Sequence, residues 1–166
     1  MKRPRCTTLA NGLRVVTVEL PHLHSADVAV YLKVGGRNDP AGRTGLSHFL
    51  EHMLFRGTAE YASSLEIEAA FESLGGGINA ATDADSTCYY GRIHPRFAAQ
   101  GLEILASMLL RPRLEGIELE RRIIVEEALE DISQDGDEIS PDLVVGRMLW
   151  PDHPLGESTV GSLEDI

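Results

Sequence analysis

Two histidines and a glutamate within five residues, His48-Phe49-Leu50-Glu51-His52, form the strongest chemical signal in the sequence. On an α-helix, positions i and i+4 lie about 40° apart and i+3 falls about 60° to the other side of the first, so all three polar groups leave one side. Two neutral imidazoles so arranged can bind Zn2+, while the carboxylate reaches a water on the metal rather than the metal itself. Glu51 therefore has the position of a general base. A shuffled chain of this composition would contain about 0.02 such HxxEH patterns, so chance explains the pattern poorly. A surface helix with two solvated histidines would compete with this reading. Leu46, Phe49, Leu50, Met53 and Leu54 weigh against it, because they would bury much of the helix and leave the imidazoles in need of partners.

A hydrolytic zinc site takes three protein ligands and keeps one position open. Cys6 and Cys88 stand far apart with no CxxC partner, which indicates neither a thiolate cluster nor a disulfide framework. The third donor must then be an imidazole or a carboxylate. The acidic stretch near residues 117–132 offers several carboxylates: Glu120, Glu127 and Glu130 share one helical face, and Glu126 lies about 100° from Glu127. A solvated acidic face is the ordinary reading of such a run, and periodicity does not choose among its members. His22, His24, His94 and His153 sit in turns, loops or at a strand end, where solvation or local hydrogen bonding is expected.

The elements that must position these groups follow from hydrophobic period and turn signals. Residues 13–20 and 26–34 alternate with period 2 and read as a pair of neighbouring strands. Gly35-Gly36 and a turn-rich loop lead to a helix capped by Thr44 or Ser47 and running to about Phe55. Ser63 with Glu66 forms a capping box for a second helix, stopped by Gly75-Gly76-Gly77. Residues 78–84 and 86–94 read as extended, with Tyr89 and Tyr90 facing opposite ways. Pro95 opens a helix that carries Phe97, Leu102, Leu105, Met108 and Leu109 at helical spacing and ends at Arg111-Pro112. Residues 117–132 form the acidic helix, with Leu119, Ile123, Ile124, Leu129 and Ile132 for burial. Ser162-Leu163-Glu164-Asp165 has the signature of a helix start with only Ile166 after it, so the chain is expected to be a truncated domain. The order of elements predicts an α+β fold, a largely antiparallel sheet packed against helices.

With 166 residues and 43% hydrophobic content, residues 1–166 suffice for a single domain. The 15 basic against 26 acidic residues leave a charge of −11, which argues against nucleic acid as a partner. No apolar run approaches the roughly 18–20 residues of a membrane span, and no hydrophobic stretch follows the basic start. A cytoplasmic protein with no membrane partner is the resulting expectation.

The segment GLSHFLEHMLFRGT resembles the HxxEH motif of the inverzincin peptidases, the family of pitrilysin, insulin-degrading enzyme and mitochondrial processing peptidase. TLANGLRVVTVEL, LKVGGRNDPAGRTGLSH, LGGGINAATDADSTCYYGRIH and HPLGESTVG resemble further family segments, so the likeness spans nearly the whole chain. ERRIIVEEALED resembles the family's downstream ligand helix, and the 74 residues between His52 and Glu127 fit the family spacing. The resemblance implies one zinc ion held by His48, His52 and Glu127, with Glu120 as a supporting carboxylate and Glu51 activating water. It implies that Asn79 and Ala80 lie on an edge strand that takes substrate backbone as an added strand, and that Phe55 lines the pocket near the scissile bond. Ordinary sheet packing of Phe55 and a turn role for Asn79 are the alternatives. The implied activity is endoproteolysis of extended or unstructured polypeptides. The family's catalytic half continues further, and a second homologous half or partner subunit helps hold substrate. The alternatives are a non-catalytic peptide-binding subunit, or a metal-binding fragment inactive alone.

Overall fold

The computed structural model describes residues 3–137 and 139–166. It is α+β, with two antiparallel sheets and five helices among those residues. The chain begins with a hairpin of β1 (Arg5–Thr8) and β2 (Arg14–Thr17), in register Cys6↔Val16 and Thr7↔Val15. The expected pairing of the two period-2 stretches is therefore corrected: the second of them, β3 (Ala26–Leu32), joins a separate sheet. The Asn11-Gly12 turn explains this. Gly12 takes φ 86° and Leu9 N–H donates to the Leu13 carbonyl at 2.8 Å, so the chain reverses locally before the longer loop to β3 can close.

The second sheet has the order β3–β5–β4, with β4 (Gly77–Thr82) and β5 (Thr87–Ile93) joined by a tight turn. Val30 faces Tyr89 across β3 and β5, and Ala80 faces Tyr89 across β4 and β5. Strand alternation turns Tyr89 into the core at 2% exposure and Tyr90 outward at 42%, the expected opposition. Behind the sheet lie α2 (Ser64–Glu72) and α3 (Ala98–Leu110), whose Ile67, Phe71, Ile104, Leu105 and Met108 form the core with Val28 and Ile93. Gly91 permits this close approach, since a Cβ there would overlap the Phe71 ring.

The HxxEH segment lies on α1 (Leu46–Leu54), and α4 (Ile117–Glu130) packs against it with Ile124 fully buried. The cap of α1 is Gly45 at φ 85° rather than Thr44 or Ser47. Both hydroxyls are engaged elsewhere: Thr44 Oγ1 donates to Asp165 Oδ2 at 2.6 Å and Ser47 Oγ to Asp39 Oδ1 at 2.5 Å. Ser63 caps α2 as read, its Oγ accepting from Glu66 N–H at 3.3 Å, but the reciprocal half of the box does not form, because the Glu66 carboxylate accepts from Ala62 N–H at 2.8 Å instead. A fifth helix, α5 (Pro141–Leu149), escaped the periodicity reading because the β-branched Val144-Val145 pair blurs a short helical pattern. Ser162 starts only a turn, its Oγ accepting from Asp165 N–H at 3.3 Å. Among the described residues no helix is long and apolar enough to cross a membrane.

Candidate metal centre

Helical spacing on α1 puts His48 and His52 one turn apart, with ring centroids 4.5 Å from each other. The facing helix α4 brings Glu127 to both: Oε1 lies 3.5 Å from His48 Nε2, and Oε2 lies 3.6 Å from His52 Nε2. One donor atom from each of the three residues falls within 4.8 Å of the others. Ligands bonded tetrahedrally to zinc at roughly 2.0–2.1 Å stand about 3.4 Å apart, so the spacing of this N,N,O set fits the ion. Two imidazoles and one carboxylate also leave a fourth position open, the composition of a hydrolytic rather than a structural zinc site.

The electrostatics favour a cation. Burial, followed by the neighbouring His52, holds His48 down to about 4, so it stays neutral and able to donate its lone pair. Its Nδ1 is buried with no hydrogen-bond partner among the described residues. Burial also raises the Glu127 carboxyl, with His52 opposing and Glu51 adding to the rise. A bound divalent ion would reverse that, because opposite charge favours the carboxylate.

Glu120 lies behind His52, 2% exposed, with Oε1 2.9 Å from His52 Nδ1. Burial alone would raise Glu120, but the hydrogen bonds from Arg56 and His52 outweigh it and leave the carboxyl below its ordinary range. An ionised carboxylate only accepts, so His52 Nδ1 carries the ring proton and Nε2 presents its lone pair toward Glu127 and His48. Arg56 Nε donates to the other oxygen, Oε2.

Glu51 stands on the same side of α1, 8% exposed and outside the donor cluster. It accepts a hydrogen bond from Thr82 Oγ1 on β4, and its charge adds to the burial that raises the buried Tyr89 phenol. Asn79 and Ala80 lie on β4, which forms an edge of its sheet, and Ala80 N–H donates to Asn79 Oδ1 at 2.8 Å. Phe55 follows α1, half-buried against the core, with its ring 6.3 Å from Tyr89. Glu130 is exposed on the acidic face. His94 and His153 accept from the amides of Arg96 and Leu155, the local role expected of them.

Two neighbours of the cluster escaped the sequence reading. Arg56 stands four residues after His52, a continuation of the His face that helical spacing could have marked. Thr82 shares the inward face of β4 with Ile78 and Ala80, and period-2 alternation could have singled it out.

The sequence and the fold have counterparts in known proteins. The description "Insulinase (Peptidase family M16)" matches residues 14–162. An uncharacterized zinc protease of Mycobacterium tuberculosis is 37% identical over 166 residues, covering 98% of this chain and 37% of that protein. The mitochondrial-processing peptidase subunit beta of Blastocladiella emersonii is 35% identical over 167 residues, covering 99% of this chain and 35% of that protein. The chain thus spans little more than a third of the curated relatives it matches. Among solved structures, a protease from Helicobacter pylori superposes with TM-score 0.86 at 28% identity over 98% of this chain and 39% of that one. Pitrilysin superposes with TM-score 0.80 at 25% identity, over 98% of this chain and 17% of that one. Because the family match takes in most of the chain and the same fold recurs in two proteases, this chain belongs to the insulinase family of peptidases, family M16.

Proposed function

We propose that residues 1–166 form one incomplete catalytic domain of a zinc metalloendopeptidase, with His48, His52 and Glu127 holding the metal and Glu51 acting as general base. The observation that carries this is the convergence of the two Nε2 atoms and the Glu127 carboxylate, with Glu51 beside them but outside the donor set. Zinc in that position would polarise a scissile carbonyl and lower the pKa of a coordinated water to about 7. Glu51 then accepts the proton of the attacking water and returns it to the leaving amine, a role that requires its carboxylate to remain unligated. Glu120 keeps His52 in the tautomer whose Nε2 is free to donate. The open edge of β4, with Asn79 and Ala80, supports an extended or unstructured polypeptide as substrate, docked by backbone hydrogen bonds; Phe55 lines the adjoining pocket in this reading.

Full activity, on this proposal, requires the remainder of a family-length chain, a second homologous half or a partner subunit. The chain's one-third share of its relatives supports that, as does the description of one relative as a subunit of a processing peptidase. A cytoplasmic location belongs to the same reading. Metal analysis of purified protein, with hydrolysis of an unstructured peptide by wild type and Glu51→Gln, tests it. One zinc per chain, and loss of hydrolysis in the variant with zinc retained, is the expected result. Zinc-free protein that still binds peptide would favour a non-catalytic binding subunit instead. Zinc-loaded protein that gains activity only with additional chain would identify an inactive metal-binding fragment.

A further inference from the structure

We infer that Thr82 is a positioning residue for Glu51, and that through it the orientation of the base is coupled to the edge strand β4. This rests on the reading of Glu51 as the base. Among the described residues Thr82 is the one hydrogen-bond partner of the Glu51 carboxylate, its Oγ1 meeting Oε2. A carboxylate at the end of three rotatable bonds samples several orientations unless one oxygen is fixed. Fixing Oε2 leaves Oε1 as the oxygen free to take a proton.

The direction of this hydrogen bond is set by the hydroxyl behind it. Thr82 pairs with Thr87 at the end of the β4–β5 ladder, and the two Oγ1 atoms lie 3.4 Å apart. Thr87 is 2% exposed, and its Oγ1 donates to the Val34 carbonyl at 3.0 Å, just past the end of β3. Having given its only proton to Val34, Thr87 can only accept. Thr82 also has one proton, and the anionic carboxylate is the stronger acceptor, so Thr82 donates to Glu51. The sequence Val34, Thr87, Thr82, Glu51 thus anchors the base to the end of the sheet rather than to its own helix.

The position of Thr82 on the strand adds the functional content. It lies two residues beyond Ala80 and shares its inward face, while β4 is the edge that an added peptide strand would pair with. A peptide strand drawn onto β4 orders the same backbone that carries the Thr82 hydroxyl. The base is then aligned on the strand that aligns the peptide.

The test measures kcat, KM and zinc affinity of the zinc-loaded protein on an unstructured peptide for wild type, Thr82→Val, Thr82→Ser and Glu51→Gln. Valine keeps the β-branched shape without the hydroxyl, and serine keeps the hydroxyl without the methyl. Thr82→Val is expected to lower kcat by about 10- to 100-fold with KM and zinc affinity unchanged, and Thr82→Ser to recover most of it. Serine ranking at or below valine in kcat would overturn the inference, because a purely structural threonine is better replaced by valine. So would wild-type kcat in Thr82→Val, or weakened zinc binding in that variant. If Glu51→Gln is inactive while Thr82→Val is not impaired, only this inference fails; if Glu51→Gln retains wild-type hydrolysis, the base assignment fails.

Discussion

Replacing Glu120 with glutamine should weaken zinc binding although Glu120 is not a ligand. The carboxylate is 2% exposed and serves two donors, His52 Nδ1 at 2.9 Å and Arg56 Nε. A glutamine offers one oxygen and one NH2 group, so it can accept from only one of them in that geometry. If its oxygen turns to His52, the NH2 faces the Arg56 N–H, donor against donor. If its oxygen turns to Arg56, the NH2 faces His52 Nδ1 and favours the tautomer with the proton on Nε2, the atom directed at the metal position. The first arrangement keeps the liganding tautomer of His52 only against that repulsion from Arg56, and the second disfavours the tautomer itself, so neither supports His52 as the carboxylate does. Loss of such a supporting carboxylate costs about 10- to 100-fold in metal affinity, or about 1.4–2.7 kcal/mol. Competition with a chromophoric zinc chelator measures it, with Glu130→Gln on the exposed side of α4 as the control for removing one acidic charge. Zinc affinity in Glu120→Gln matching that of Glu130→Gln would refute the reasoning, since the supporting role would then be no more than charge.

Acid should destabilise the zinc-free chain partly through His48. Burial holds His48 down to about 4 against an ordinary 6.5, so between those values the unfolded chain binds a proton that the folded chain refuses. The associated stability is complete above pH 6.5 and falls by about 3 kcal/mol at most as pH drops through 4; denaturant titrations at several pH values should show a shallower loss in His48→Leu. Gly45→Ala should cost about 1–3 kcal/mol, measured by urea unfolding, because φ there is 85° and a Cβ would overlap the Val160 carbonyl. Phe71→Ala should cost about 3–5 kcal/mol by the same measurement, since the ring is fully buried between sheet and helices.

How much of this was legible in the sequence depended on the range of each interaction. His48, Glu51 and His52 sit within one helical turn, so spacing alone predicts their common side. Glu127 required the α1–α4 packing or the family resemblance, because Glu120 and Glu130 share its helical face and local periodicity does not choose among them. The pairing of residues 13–20 with 26–34 was misread because alternation marks a strand but carries no partner, and the partner was set by a turn at Gly12. The cap of α1 was misread for a related reason: Thr44 and Ser47 are good caps locally, but Asp165 and Asp39 engage their hydroxyls. Thr82 and Arg56 gain their significance only from groups 31 and 64 residues away along the chain.

The central claim is that His48, His52 and Glu127 hold zinc while Glu51 stands free as the base. A zinc-edge anomalous difference map from crystals of the metal-loaded protein tests it most directly. The account predicts a single strong peak about 2.0–2.1 Å from Nε2 of both His48 and His52, bonded to Glu127, with the Glu51 carboxylate outside the coordination shell. A peak coordinated by Glu51, or one held by other residues, would contradict it.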